Sequence, residues 1–143
     1  MTPIKWMYAL LVAAVAGAPA TAFAQARAKA DVACRPTATV LQYDCAITLT
    51  HARTSEPLSG ATLTVGADMP SMPMMHNVRP VKATPGEKSG TYQVNLTLEM
   101  HGDWALQLNV SGLLRDRVVA ILRFEPERVT PAAAAKAAPK HKH

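Results

Sequence analysis

The sequence has few of the residues and motifs from which most enzyme active sites are built. Only 2 of its 143 residues are cysteines, too few for the four-ligand thiolate sites that hold structural zinc. It has no G-x-S-x-G nucleophile elbow, no H-E-x-x-H motif and no glycine-rich phosphate loop. Its acidic residues are scattered at expected turns and strand ends. We therefore expect a protein that is not an enzyme.

The chain also lacks the length of the large catalytic scaffolds and a concentrated basic surface. Its 143 residues allow one domain but neither a (β/α)₈ barrel nor a two-half dinucleotide-binding fold. The net charge of +5 includes Lys5 near the start and Lys136, Lys140 and Lys142 near the end. The part expected to fold is close to neutral, so a nucleic-acid partner is not expected.

Residues 1–24 have the three parts of a secretory signal peptide. Lys5 precedes an apolar run from Trp6 to Gly17, and Ala22-Phe23-Ala24 is a small-x-small cleavage signal. The alternative is a transmembrane anchor, but this run is short of the roughly 20 apolar residues that spanning needs. No later segment is long and apolar enough to span. We expect an exported, periplasmic protein with no stable membrane insertion after cleavage.

The expected export determines the redox environment of the two cysteines, Cys34 and Cys45. In an oxidising compartment a single pair of cysteines most simply forms a disulfide. A disulfide closing so short a loop contributes about 2–3 kcal/mol by restricting the unfolded chain. The alternative interpretation is a metal site that uses the two thiolates.

The chain divides into four expected regions. Residues 25–30 are interpreted as a linker and residues 31–126 as the folded domain. Residues 127–143 are rich in Ala, Pro, Lys and His and are predicted to be a disordered tail. His141 and His143 end the tail, either as weak metal ligands or as part of a solvated basic segment.

Alternation of apolar and polar residues with a period of two predicts strands in the domain. Seven strands are expected, near residues 32–35, 45–50, 61–65, 77–83, 90–99, 103–111 and 118–124. This pattern predicts an all-β fold, an immunoglobulin-like antiparallel β-sandwich of about seven strands. Trp104, Tyr92 and Phe124 are the expected core residues. Segments 90–99 and 103–111 are predicted to pair as a hairpin.

The methionines that follow the leader are concentrated in two places. Four lie in the segment MPSMPMMHN, which spans residues 69–77, and Met100 directly precedes His101. Because a residue before proline favours extended backbone, this segment is expected to be strand-like. Met72, Met74 and His76 would then share one face. Thioether and imidazole groups are soft ligands that suit copper, above all Cu(I).

These residues predict a copper-binding protein, a chaperone or scavenger, that holds Cu(I) or Cu(II) and favours Cu(I). Its partner would be a copper-accepting or copper-donating protein, with membrane-bound proteins among the options. The alternative is a docking module without metal, which uses the methionines as an apolar patch against a membrane complex. The candidate ligands are Met72, Met74 and His76, then Met69, Met75, Met100 and His101, with His51 a weaker candidate.

The same segments carry a resemblance to a known family. MPSMPMMHN followed by GTYQVNLTLEMHGDWALQLNVSG resembles the YtkA-like domain, which is related to FixH-type proteins. The stretch CAITLTHARTSEPLSGATLTV fits the first strands of that domain, so the likeness covers about residues 45–124. The resemblance implies an exported or membrane-tethered β-sandwich associated with copper handling and oxidase assembly. The sequence departs from FixH-type members in lacking their retained transmembrane helix, and His101 separates Met100 from Gly102.

Overall fold

Residues 25–132 are described by a computed structural model and form nine β-strands. The expected signal peptide, residues 1–24, and the end of the expected tail, with His141 and His143, lie outside the described residues. The strands are β1 (Ala28–Pro36), β2 (Gln42–His51), β3 (Thr62–Asp68), β4 (Asn77–Lys82), β5 (Thr84–Pro85), β6 (Thr91–Thr97), β7 (Gly102–Ser111), β8 (Asp116–Phe124) and β9 (Val129–Pro131).

The strands form two antiparallel sheets that enclose one apolar core. The first sheet has the order β1-β2-β6-β5, and the second has the order β4-β3-β7-β8-β9. In β2 and β6 every second side chain is buried, as expected for a strand with one face on the core. The predicted all-β sandwich is confirmed, with nine strands rather than seven because β5 and β9 are too short to produce a clear alternation.

The expected aromatic residues lie at the centre of this core. Trp104 and Phe124 are fully buried and Tyr92 is nearly so. Tyr43 also lies in the core, with its ring edge-on to Phe124 at a centroid distance of 4.8 Å. Its hydroxyl donates to the carbonyl of Glu125 at 3.1 Å, and burial raises the pKa of this phenol.

The sandwich extends beyond the expected domain limits of 31 and 126 at both ends. β1 begins at Ala28, inside the expected linker, and Ala28 and Ala30 pack against the core. β9 lies inside the expected tail and pairs with the end of β8, where Val129 is opposite Phe124. The sequence predicted only residues 32–35 of β1, because the alanines in its first half give a weak hydrophobic alternation. β9 was not predicted, because it has only three residues.

The predicted hairpin of segments 90–99 and 103–111 is wrong. β6 pairs with β2 and β5 in the first sheet, whereas β7 pairs with β3 and β8 in the second. The intervening residues, which we call the crossover (98–101), carry the chain from one sheet to the other. The indole nitrogen of Trp104 donates to the carbonyl of Met100 at 3.1 Å and fixes the path of the crossover. Alternation shows which face of a strand is buried, but it does not show which strand lies beside it.

The predicted disulfide is confirmed. Cys34 and Cys45 are directly opposite each other in the register of β1 and β2 and are bonded. Within the described part of the chain no cysteine is free. The alternative interpretation, a metal site built from the two thiolates, is therefore wrong for this oxidised form.

Candidate metal centre

The predicted methionine segment forms the connection between β3 and β4, and we call residues 69–76 the methionine loop. Its base is closed by the antiparallel pair of Asp68 and Asn77. We expected this loop to be strand-like, but it consists of two successive turns. In these turns the backbone N–H of Met72 donates to Met69 at 3.0 Å, and that of Met75 donates to Met72 at 3.2 Å.

The two prolines explain the turns. Pro70 and Pro73 each occupy the second position of a four-residue turn, where the fixed φ of proline is favoured. Met74 follows at the third position of the second turn with a φ of 69°, as a type II turn requires. The effect of proline on the preceding residue was anticipated, but its preference for this turn position was not. Because the backbone turns twice in this loop, Met72, Met74 and His76 do not share a strand face.

The turns expose some thioethers and bury one. Met74 is 91% exposed, Met75 is 75% exposed and Met72 is 37% exposed, whereas Met69 is only 5% exposed. Met69 belongs to the hydrophobic core, and its methyl carbon packs against Gly102. A Cβ atom placed on Gly102 would lie only 3.0 Å from that methyl carbon. The loop therefore presents three of its four predicted sulfur ligands to solvent and turns the fourth inward.

The crossover lies against the methionine loop. The Nδ1 atom of His76 is hydrogen-bonded to a carboxylate oxygen of Glu99, and Met100, the next residue, is 37% exposed. Glu99 was not among the candidate residues. Its position directly before Met100 and His101 was the only signal in the sequence, and it became informative once the two segments were known to touch.

The other histidine candidates lie in different surroundings. His101, the last residue of the crossover, is exposed and lines a cavity of about 120 Å³ between the β1–β2 turn and Pro126. His51 ends β2, and the first residue of β2 pairs with Thr97 beside the crossover. His51 therefore lies nine strand residues, or about 30 Å, from the crossover. The Nδ1 atom of His51 accepts from the backbone N–H groups of Arg53 and Thr54 at 3.3 and 3.4 Å.

The donors at this end are thioethers, imidazoles and one carboxylate. In residues 25–132 no group of three or more His, Cys, Asp or Glu side chains is arranged to hold a metal ion. The carboxylate of Asp103, which follows Gly102, is hydrogen-bonded to Arg123. The Nε atom and a terminal nitrogen of Arg123 donate to it at 2.7 and 2.9 Å. These hydrogen bonds lower the pKa of Asp103.

A larger groove, of about 700 Å³, lies away from the methionines beside the disulfide. Apolar side chains such as Val81 and charged side chains such as Arg35 and Lys82 both line it. In its wall Asn95 of β6 donates to Asp44 of the neighbouring strand β2 at 2.7 Å. None of the soft donors lies in this groove, so we place the candidate centre at the methionine loop and the crossover.

A family model described as YtkA-like matches residues 26–109, more than half of the chain. The chain belongs to the YtkA-like family. The matched part of this YtkA-like protein runs from just before β1 to within β7 and includes both the methionine loop and the crossover. Kinship with FixH-type proteins stays a prediction. Comparisons with curated proteins and with solved structures gave no significant match.

The described residues of the YtkA-like protein contain no helix with the length and apolar character that crossing a bilayer requires.

Proposed function

We propose that this YtkA-like protein binds copper, preferably Cu(I), in the periplasm and passes it to a partner by ligand exchange without catalysing a reaction. The observation that carries the proposal is the gathering of soft donors at one end of the sandwich. Met72, Met74 and Met75 are exposed in one short loop, and His76 of that loop is joined to the segment that holds Met100.

The chemistry of these donors suits Cu(I) and its transfer. Thioether sulfur is a soft, neutral ligand that favours Cu(I), and it requires no deprotonation, unlike a thiol. The proposed ligands are Met72, Met74, Met75, His76 and Met100, with His101 at the edge of the site. Because the thioethers of Met74 and Met75 are largely exposed, a partner's own ligands can reach the metal and displace them one at a time.

The periplasmic location rests on the signal-peptide pattern and fits the disulfide. Disulfides persist in exported proteins and are rare in reducing compartments, and Cys34 is bonded to Cys45 here. The proposed partner is a copper-donating or copper-accepting protein, which includes membrane-bound proteins facing the same compartment.

A competition titration with Cu(I) and a chromophoric chelator tests the proposal. We expect wild-type protein to take one Cu(I) from the chelator and the Met72→Leu/Met74→Leu variant to lose this ability. Met69→Leu is the matched control, since it removes a sulfur from the same loop but from the core side, and it should bind as the wild type does. Equal affinity of the double variant and the wild type would contradict the assignment.

The alternative function, a docking module without metal, has one observation in its favour. Met74 and Met75 are exposed apolar side chains, and Val40, in the β1–β2 turn at the same end, is 79% exposed. Such a patch could pack against a membrane complex such as a cytochrome oxidase. His76→Ala distinguishes the two functions, because it should weaken copper binding and barely change an apolar docking surface.

A further inference from the structure

We propose that Glu99 is a positioning residue that makes Nε2 of His76 the copper-binding atom. The inference rests on the proposed function and adds to it the ligating atom and the group that fixes it. It begins from the hydrogen bond between Nδ1 of His76 and the carboxylate of Glu99.

This hydrogen bond determines the tautomer of His76. The partner of Nδ1 is a carboxylate oxygen of Glu99, and a carboxylate can only accept hydrogen bonds. Nδ1 must therefore donate and carry the proton. A neutral imidazole has one N–H group, so Nε2 is left with a lone pair.

The same hydrogen bond fixes where the lone pair lies. His76 is the last residue of the methionine loop, and its carbonyl accepts from the backbone N–H of Met69 at 3.4 Å. Glu99 belongs to the crossover, whose path is set by the hydrogen bond from Trp104. The imidazole ring is thus held between two segments whose backbones are each fixed. Histidines that ligate metals commonly donate their second N–H to a carboxylate in this way, which orients the ring and increases its basicity.

The tautomer can be measured in the metal-free protein. A two-bond proton–nitrogen correlation spectrum reports which ring nitrogen carries the proton. The His76 signals are identified by their absence in His76→Ala. We expect the Nδ1–H tautomer in the wild type and a mixture of tautomers in Glu99→Gln. Glu87→Gln, an exposed glutamate in the turn before β6, changes the charge equally and should match the wild type.

Cu(I) affinity of the same three proteins completes the test. We expect Glu99→Gln to bind about 10- to 100-fold more weakly and Glu87→Gln to bind as the wild type does. An Nε2–H tautomer in the wild type, or unchanged Cu(I) affinity in Glu99→Gln, would overturn the role of Glu99 and leave the proposed function standing. Failure of the wild type to bind Cu(I), with the Nδ1–H tautomer present, would overturn the proposed function itself and with it any positioning for copper.

Discussion

The difference between Met69 and Met74 shows what the sequence reveals about a single residue and what it does not. Both are methionines of one loop, but Met74 is 91% exposed and Met69 is 5% exposed. Residue type alone identified both as soft donors. The signal that separates them is the period of two, because Met69 continues the inward series of Leu63, Val65 and Ala67 along β3. The exposure of Met74 follows from a turn, which the series cannot predict.

At this scale we expect Met69→Ala to lower the free energy of unfolding by about 2–5 kcal/mol, because it empties a buried site. Met69→Leu preserves the volume and should cost less than about 1.5 kcal/mol. Met74→Ala, in solvent, should change stability by no more than about 0.5 kcal/mol. Urea unfolding of the three variants measures these differences. A neutral Met69→Ala would show that this side chain does not pack as described.

At the scale of elements, patterns in the sequence identified the long strands but not their neighbours. The alternation in β6 and β7 is correct, and their inner residues, such as Leu96 and Leu106, are fully buried. Two strands with inward apolar faces have the same pattern whether they lie side by side in one sheet or face each other across the core. The crossover leads the chain from β6 in the first sheet to β7 in the second. Nothing in its four residues, 98–101, predicted this change of sheet.

The pairing of β1 with β2 allows a prediction about the disulfide. Since Cys34 and Cys45 close a loop with a sequence separation of 11, we expect Cys34→Ala/Cys45→Ala to unfold with about 2–3 kcal/mol less free energy than the wild type. Adding a reductant should lower the stability of the wild type to a similar extent and leave the variant unchanged. Urea unfolding with and without reductant measures both effects, and insensitivity of the wild type to reductant would contradict the prediction.

At the scale of the whole molecule, the candidate centre exists only because the fold brings distant segments together. His76 and Glu99 are 23 residues apart and come from connections that follow strands of different sheets. Composition alone drew attention to both segments, because soft donors are rare elsewhere in the chain. Their contact required the topology, in which β3 and β6 point toward the same end, and this order of strands is not readable from local patterns.

The two sheets are also joined on the side away from β4 and β5, and this joint should make the fold sensitive to acid. Asp116, at the start of β8, accepts from the backbone N–H of Ala28 in β1 at 2.8 Å and from Nε of Arg27 at 3.1 Å. Burial alone would raise the pKa of this carboxyl. The hydrogen bonds from Ala28 and Arg117 and the charge of Arg27 outweigh burial, so the pKa of Asp116 is lowered.

A lowered pKa in the folded state fixes the direction of the pH dependence. Above the unfolded value of about 3.9 both states are ionised, and the ionised carboxylate contributes its full stabilisation. Below it the unfolded chain binds the proton first, and stability is lost as the pH falls through the folded pKa. Urea midpoints measured from about pH 7 to pH 2 should therefore decline below about pH 4. Asp116→Asn should be less stable at neutral pH and should decline less steeply. Parallel pH profiles for the two proteins would show that Asp116 does not link β1 to β8 through its charge.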